Sequence, residues 1–237
     1  MTRISNREVE RHYFEQFRTH FPLPTGVVEY TDKPDVIIHG ERKLGVEIAN
    51  LYLTHGSDPS SEQKQRHFRE TVLQQAQARY LTAGGKKMEL TVCFDPAWPI
   101  KNAKAVAAAL AVAAASIEGL PSGQVSLTYF AHVPEVSFVY HNPIEYPDPV
   151  WRVCQSYTVP PLSLPGLAAT IAEKHNKLPA YKQCDAFWLL LVVDFIDRAQ
   201  DKDIRWPDPT IEFSSPFERI IVYKPQFAEW TDVPIKR

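Results

Sequence analysis

The sequence predicts an α/β fold in which a mixed central β-sheet is flanked by helices. Amphipathic helical patterns alternate with short apolar strand patterns along the chain. Two early strand patterns meet at a tight turn around Gly40, which favours antiparallel pairing. A later stretch, residues 187–193, is apolar without interruption, as is typical of a strand that is covered on both faces. Together these patterns indicate a mixed sheet with helices on its faces.

The first half of the chain contains the clearest elements. Ser5 is a candidate N-cap, and apolar residues recur after it at helical spacing, which predicts a helix over residues 5–21. Ser60 and Gln63 match a capping box, which predicts a second helix ending near residue 81. The predicted strands in this half are residues 27–30, 34–39, 43–51 and 88–94. The second and third of these form the hairpin.

The second half is less regular because it contains an Ala-rich stretch and a Pro-rich stretch. Residues 105–115 predict a helix that is buried or faces a partner. The other predicted elements are a hairpin of residues 125–131 and 136–140, a short strand within 151–158, a helix over about 164–177, and strands 187–193 and 219–223. We expect one elaborated domain over residues 1–237, with approximately residues 100–160 as a candidate insertion or subdomain.

Composition narrows the classes of protein that need to be considered. With 237 residues, 44% of them apolar, the chain can bury a sizeable core. A formal net charge of −2 gives no overall basic field, so a nucleic-acid partner would require a local positive surface. No stretch has the roughly 18 or more apolar residues that a membrane span needs. We therefore expect a cytoplasmic protein with no membrane partner, and the Ala-rich and Pro-rich stretches are compatible with a homodimer.

Two acids interrupt the apolar strands of the N-terminal hairpin. Asp35 opens one strand directly after Pro34, and Glu47 lies in the middle of the next. A carboxylate in an apolar strand is costly unless something pairs with it, and two neighbouring carboxylates also repel each other. A hard divalent cation relieves both problems by binding carboxylate and backbone oxygens. The alternative is that Asp35 only starts its strand and that Glu47 faces solvent.

Polar side chains on the packed faces of helices are the other candidates. At about 100° per residue, Glu10 falls within the apolar face of the first helix. Gln65 and Arg69 lie on the packed face of the second helix, while Lys64 lies about a quarter turn away. Lys174 falls at the edge of the packed face of the late helix. The alternative is that Arg69 extends to solvent along the helix and that Gln65 is a first-turn residue.

The order of these motifs resembles the PD-(D/E)XK nuclease superfamily. The core of that family has a helix with an acid, then strands that carry Pro-Asp and Glu-X-Lys, then a helix and further strands. The resemblance matches Glu10 to the helix acid, Pro34-Asp35 to the first motif and Glu47-Ile48-Ala49 to the second. Ala49 stands where the family has lysine. The resemblance covers residues 7–94, and 164–224 more loosely.

The displaced lysine has several candidate replacements. In members that lack it, another cationic or amide side chain reaches the same space, and Gln65, Arg69, Lys64 or Lys174 could do so here. The segment around Lys174 and Lys177, with the apolar strand after it, is similar to the ending of bacterial proteins of this superfamily.

The resemblance implies a restriction-endonuclease-like core and a metal-dependent nuclease that hydrolyses phosphodiester bonds, with DNA favoured over RNA as substrate. Mg²⁺ or Mn²⁺ would be held by Asp35, Glu47 and the Ile48 carbonyl. Glu10 would assist through the metal or its water, and Gln65, Arg69 or Lys174 would orient the nucleophile or the phosphate. The alternative is a non-catalytic binding or assembly protein on the same fold, in which Arg69 forms an ion pair with Glu47.

Overall fold

The chain is described here by a computed structural model, which covers residues 6–54, 58–154 and 158–236. The backbone divides into two units, of which the first is Met1–Thr54 with Val159–Arg237 and the second is His55–Thr158. The second unit is therefore inserted into the first along the chain. It begins well before residue 100, where the sequence placed the start of a candidate insertion.

Four α-helices and ten strands are formed within the described residues. In chain order they are α1 (Asn6–His20), β1 (Val27–Tyr30), β2 (Val36–His39), β3 (Lys43–Asn50), α2 (Glu62–Thr82), β4 (Glu89–Phe94), α3 (Ala103–Ala115), β5 (Gly123–Gln124), β6 (Val136–Asn142), β7 (Arg152–Val153), α4 (Leu164–His175), β8 (Ala186–Val192), β9 (Arg219–Lys224) and β10 (Glu229–Asp232). Short 3₁₀ helices lie at Leu127–Phe130, Leu178–Ala180 and Pro225–Phe227.

The first unit is built on a six-stranded mixed sheet with the order β1-β2-β3-β8-β9-β10. The outer pairs β1–β2, β2–β3 and β9–β10 are antiparallel. The central pairs β3–β8 and β8–β9 are parallel. The apolar run of β8 thus lies at the centre of the sheet, between two parallel neighbours, as an uninterrupted apolar strand requires.

Alternate residues of these strands enter two separate cores, one on each face of the sheet. On one face, Val46 and Ile48 of β3 pack with Phe14 and Phe17 of α1. On the other face, the core includes Leu167 and Ile171 of α4 together with β8 and β9 side chains. Because successive side chains of a strand point to opposite faces, Glu47 of β3 points to the face that α4 covers.

The second unit has its own four-stranded sheet, with the order β5-β6-β4-β7. One apolar core joins this sheet to α2 and α3 through residues such as Leu73, Val92 and Leu110. The buried side chains of α3 include many alanines, which allow its backbone to approach α2 and the sheet closely.

The structure confirms the predicted mixed α/β class and the β2–β3 hairpin through Gly40. The predicted hairpin strand at 125–131 is wrong, since a 3₁₀ helix begins after Ser126, whose side chain caps it. The predicted capping box is also wrong, because the N-cap of α2 is Ser61, which forms no side-chain cap bond. Ser5 and residues 155–157 of the predicted short strand lie outside the described residues. Strand β10 was not predicted.

No helix within the described parts of the chain is both long and apolar enough to cross a membrane. The longest, α2, has 21 residues but carries many charged and amide side chains.

Candidate active site

Asp35 and Glu47 are brought opposite each other by the register of the β2–β3 hairpin. Val36 pairs with Val46 in this antiparallel ladder, so one further step places Asp35 opposite Glu47 on the same face. The backbone N–H of Ile48 donates a hydrogen bond of 2.7 Å to Oδ2 of Asp35. The hairpin therefore presents the two acids as a fixed pair, as the sequence pattern predicted.

Glu47 is almost fully buried and forms an ion pair with Lys174. The Lys174 Nζ donates to Oε1 of Glu47 over 2.7 Å, and the two side chains are 16% and 8% exposed respectively. Lys174 lies in the last turn of α4, three residues after Ile171, which is buried in the core on this face. The ammonium therefore approaches Glu47 from α4. Ala49 lies two residues after Glu47 on the same strand face, and its side chain is uncharged.

Glu10 belongs to the same electrostatic group. It is half-buried near the start of α1, and burial raises the pKa of its carboxyl above the usual range. Lys174 lowers the pKa of Glu10, and Glu47 raises it. Three acids thus act on one another, with Lys174 as the cation that affects each of them.

Asp35 is the most strongly perturbed acid of this group. Burial, and then repulsion from Glu47 and Glu10, raise its pKa from 3.8 to about 7. The Ile48 N–H bond and Lys174 oppose this rise. The pKa of Asp35 therefore lies close to neutral pH, and a cation bound to this carboxylate would favour loss of its proton.

The Ile48 carbonyl faces the same region. In an extended strand the N–H and C=O of one residue project to the same side, and the Ile48 N–H binds Asp35. The carbonyl oxygen therefore lies on the Asp35 side of β3. This gives two carboxylates and one backbone oxygen as candidate ligands for a hard cation.

These ligands do not make a complete metal cage. Across residues 6–54, 58–154 and 158–236, no three or more His, Cys, Asp and Glu side chains are grouped closely enough to hold a metal ion together. Mg²⁺ does not require such a cage, because it is commonly bound through one or two carboxylates with water and substrate oxygens as the other ligands. The donor set is therefore compatible with Mg²⁺ or Mn²⁺.

Gln65 and Arg69 have their polar contacts inside the second unit. Gln65 donates to the Pro59 and Ile100 carbonyls and accepts from the Ile100 N–H. Arg69 forms two hydrogen bonds with Glu62, of 2.7 and 2.8 Å. The ion pair of Arg69 is thus with Glu62 and that of Glu47 is with Lys174, which differs from the pairing that the non-catalytic alternative predicted.

Tyr181 is a site residue that the sequence analysis did not assign. It follows the 3₁₀ helix after α4, and its half-buried side chain lies close enough to Glu47 and Asp35 for both to raise the pKa of the phenol, although burial is the largest cause. The only indication in the sequence was that Tyr181 follows Lys174 by seven residues. A turn lies between them, and spacing across a turn does not determine where a side chain points, so the sequence alone could not place this hydroxyl.

Comparisons of this chain with models of known protein families, with curated proteins and with solved structures find no match.

Proposed function

We propose that this chain is a metal-dependent nuclease that hydrolyses phosphodiester bonds of nucleic acid, and that its first unit has a restriction-endonuclease-like core. One observation carries the proposal. The Lys174 ammonium lies on Glu47, in a group with Asp35 and Glu10, and thus supplies the positive charge that is missing at Ala49. The order of α1, the β2–β3 hairpin and the parallel strands β3 and β8 agrees with such a core.

The electrostatics of the three acids favour a cation. Asp35 and Glu47 repel each other, and Lys174 balances only part of the negative charge. In our proposal Asp35, Glu47 and the Ile48 carbonyl hold Mg²⁺ or Mn²⁺. When bound, the ion would activate water and stabilise negative charge on the phosphate.

The other groups have roles that follow from their positions. Glu10, whose pKa is raised by burial, is suited to receive a proton from a water near the acid pair. Lys174 is suited to orient a phosphate oxygen or the attacking water, because its ammonium reaches the acids from α4. Asp35 must lose its proton before it can bind a cation, so cleavage should increase as the pH rises through about 7.

The test is cleavage of double-stranded DNA, single-stranded DNA and RNA by the purified full chain with Mg²⁺ or Mn²⁺. We expect Glu47→Ala to reduce the rate at least about 100-fold, since it removes a proposed metal ligand. The matched control is Glu70→Ala, which removes an exposed acid of an i,i+4 pair in the second unit and should leave the rate unchanged. Cleavage that is undiminished in Glu47→Ala would refute the assignment.

Metal binding is measured separately by calorimetric titration with Mn²⁺. If the wild-type chain neither binds Mn²⁺ nor cleaves any of the three substrates, the nuclease proposal is wrong. A non-catalytic binding or assembly role would then be the better description.

A further inference from the structure

The hydroxyl of Tyr181 is buried without a hydrogen-bond partner within the described residues. Burying a polar group without a hydrogen-bond partner is costly, so such groups are rare in folded proteins and require an explanation. Glu47 acts on this phenol both as a negative charge and as a nearby hydrogen-bond acceptor, and after burial these two effects raise its pKa most. The hydroxyl therefore lies within reach of a strong acceptor without completing a well-formed hydrogen bond to it.

The packing of β3 and β8 holds the ring of Tyr181 in this place. Gly45 pairs directly with Phe187 across the parallel ladder. A Cβ at Gly45 would lie 2.7 Å from Cδ1 of Phe187, so the absence of a side chain there makes room for the Phe187 ring. The Tyr181 ring packs edge-on against Phe187, with ring centroids 5.9 Å apart. Gly45 and Glu47 lie on the same strand face, so the Phe187 ring that contacts Tyr181 lies on the face that carries Glu47.

The Lys174 ammonium is the donor that Glu47 uses in this structure, over 2.7 Å. A cation that bound at Asp35 and Glu47 would repel this ammonium, and a phosphate group would attract it. Either event would leave the buried Glu47 carboxylate without its partner, which is costly for a buried charge. A second donor close by would then keep the carboxylate oriented.

We propose that Tyr181 is a positioning residue whose hydroxyl takes over the hydrogen bond to Glu47 when the Lys174 ammonium moves away from it. The purpose of this exchange rests on the proposed nuclease function, whereas the contact itself can be tested without metal or nucleic acid. The hydroxyl has no partner while Lys174 is engaged, and it acquires one when Glu47 turns towards it.

The first experiment is a double-mutant cycle on the metal-free full chain, measured by urea unfolding. In the wild-type background, Tyr181→Phe should not reduce stability and should increase it by up to about tenfold in the unfolding equilibrium constant, because it removes a buried hydroxyl that lacks a complete hydrogen bond. In the Lys174→Met background the same substitution should reduce stability by about tenfold or more in that constant, since the hydroxyl is then bonded to Glu47. Lys174→Gln serves as a second background if Lys174→Met fails to fold.

The matched control is Tyr223→Phe, which removes another hydroxyl of the same unit, one that forms a hydrogen bond with His20. Its effect should be the same with and without Lys174. An equal effect of Tyr181→Phe in both backgrounds would overturn the proposed exchange, because a role in packing alone would not depend on Lys174.

The second experiment is Mn²⁺ titration of the Tyr181→Phe variant, which keeps Lys174 and the three acids. We expect about tenfold weaker binding than in the wild type, within the range found when an outer-shell partner of a metal ligand is removed. Unchanged Mn²⁺ affinity would refute the positioning role at the metal-bound stage. If the wild type neither binds Mn²⁺ nor cleaves nucleic acid while the unfolding cycle gives the expected result, the nuclease proposal fails and the Tyr181–Glu47 contact stands.

Discussion

Replacing Asp35 with asparagine should stabilise the protein at neutral and alkaline pH. The substitution removes a charge that lies against Glu47 and Glu10, and it keeps an amide oxygen that can accept the Ile48 N–H bond. The wild-type carboxylate is destabilising because its charge is buried and because it lies among acids with too little positive charge. The size of the effect follows from the pKa of Asp35.

The direction in which stability changes with pH depends on whether the folded or the unfolded chain binds the Asp35 proton more tightly. Burial, Glu47 and Glu10 raise the pKa of Asp35 in the folded protein from 3.8 to about 7. Between about pH 4 and pH 7 the unfolded chain has lost this proton while the folded chain keeps it, so the free energy of unfolding decreases as the pH rises. At about 1.36 kcal/mol for each pKa unit, the loss has an upper bound of about 4 kcal/mol above pH 7.

The assay is urea unfolding of wild type and Asp35→Asn between about pH 5 and pH 8, without divalent metal. We expect the variant to be more stable by about 2–4 kcal/mol at the upper end and by much less at the lower end. Mg²⁺ should then stabilise the wild type and not the variant. The control is Asp32→Asn, because the exposed Asp32 has its pKa lowered by Arg7 and should show no such gain with pH. A constant difference between Asp35→Asn and wild type across this range would refute the reasoning.

Two further substitutions test the packing around the acids. Lys174→Met should destabilise the protein by about 3–5 kcal/mol in chemical unfolding, since it leaves the buried Glu47 charge without a cation, which a hydrogen bond from the uncharged Tyr181 does not replace. Lys177→Met, at an exposed pair, should have an effect of at most about 0.5 kcal/mol, and equal effects of the two would contradict this account. Gly45→Ala should lower the unfolding free energy by about 1–3 kcal/mol, because the new Cβ would lie 2.7 Å from the Phe187 ring; a neutral result would show that this ring is free to move.

The elements that the sequence predicted well are those defined by local pattern. The hairpin is determined by its turn at Gly40 and by the two short apolar strands beside it, so its register follows from a few adjacent residues. Helix α1 was predicted from the spacing of Tyr13, Phe14 and Phe17, all of which are buried. The turn residue therefore decides the hairpin, and the period of the apolar residues decides the helix.

The elements that the sequence predicted poorly depend on pairing with other strands of their sheets. Strand β10 has four residues, of which three are exposed, so only its pairing with β9 makes it a strand. The region after Gly123 pairs with β6 over two residues and then turns into a 3₁₀ helix. Short edge segments of this kind carry no strong apolar period, and their structure is set by hydrogen bonds to another part of the chain.

The same distinction applies to the candidate site. Asp35 and Glu47 could be paired from sequence because they are joined by a hairpin. Lys174, by contrast, is 127 residues from Glu47 along the chain. The sequence offered Lys174, Gln65 and Arg69 alike as candidates to replace the missing lysine. Helical periodicity shows which face of a helix is packed, but it does not show which strand lies under that face. The position of α4 over β3 is information that only the tertiary structure contains.

The charges of the site explain how Lys174 can both stabilise the fold and take part in the proposed chemistry. Glu47 is buried and needs a positive charge, which Lys174 supplies in the metal-free protein. A divalent ion bound to Asp35 and Glu47 would supply that charge instead, so the ammonium and the ion compete for one carboxylate. Each ion bound would then release the ammonium towards the phosphate. The ion pair thus stabilises the protein when no metal is bound, and in our proposal the pair opens when the catalytic site forms.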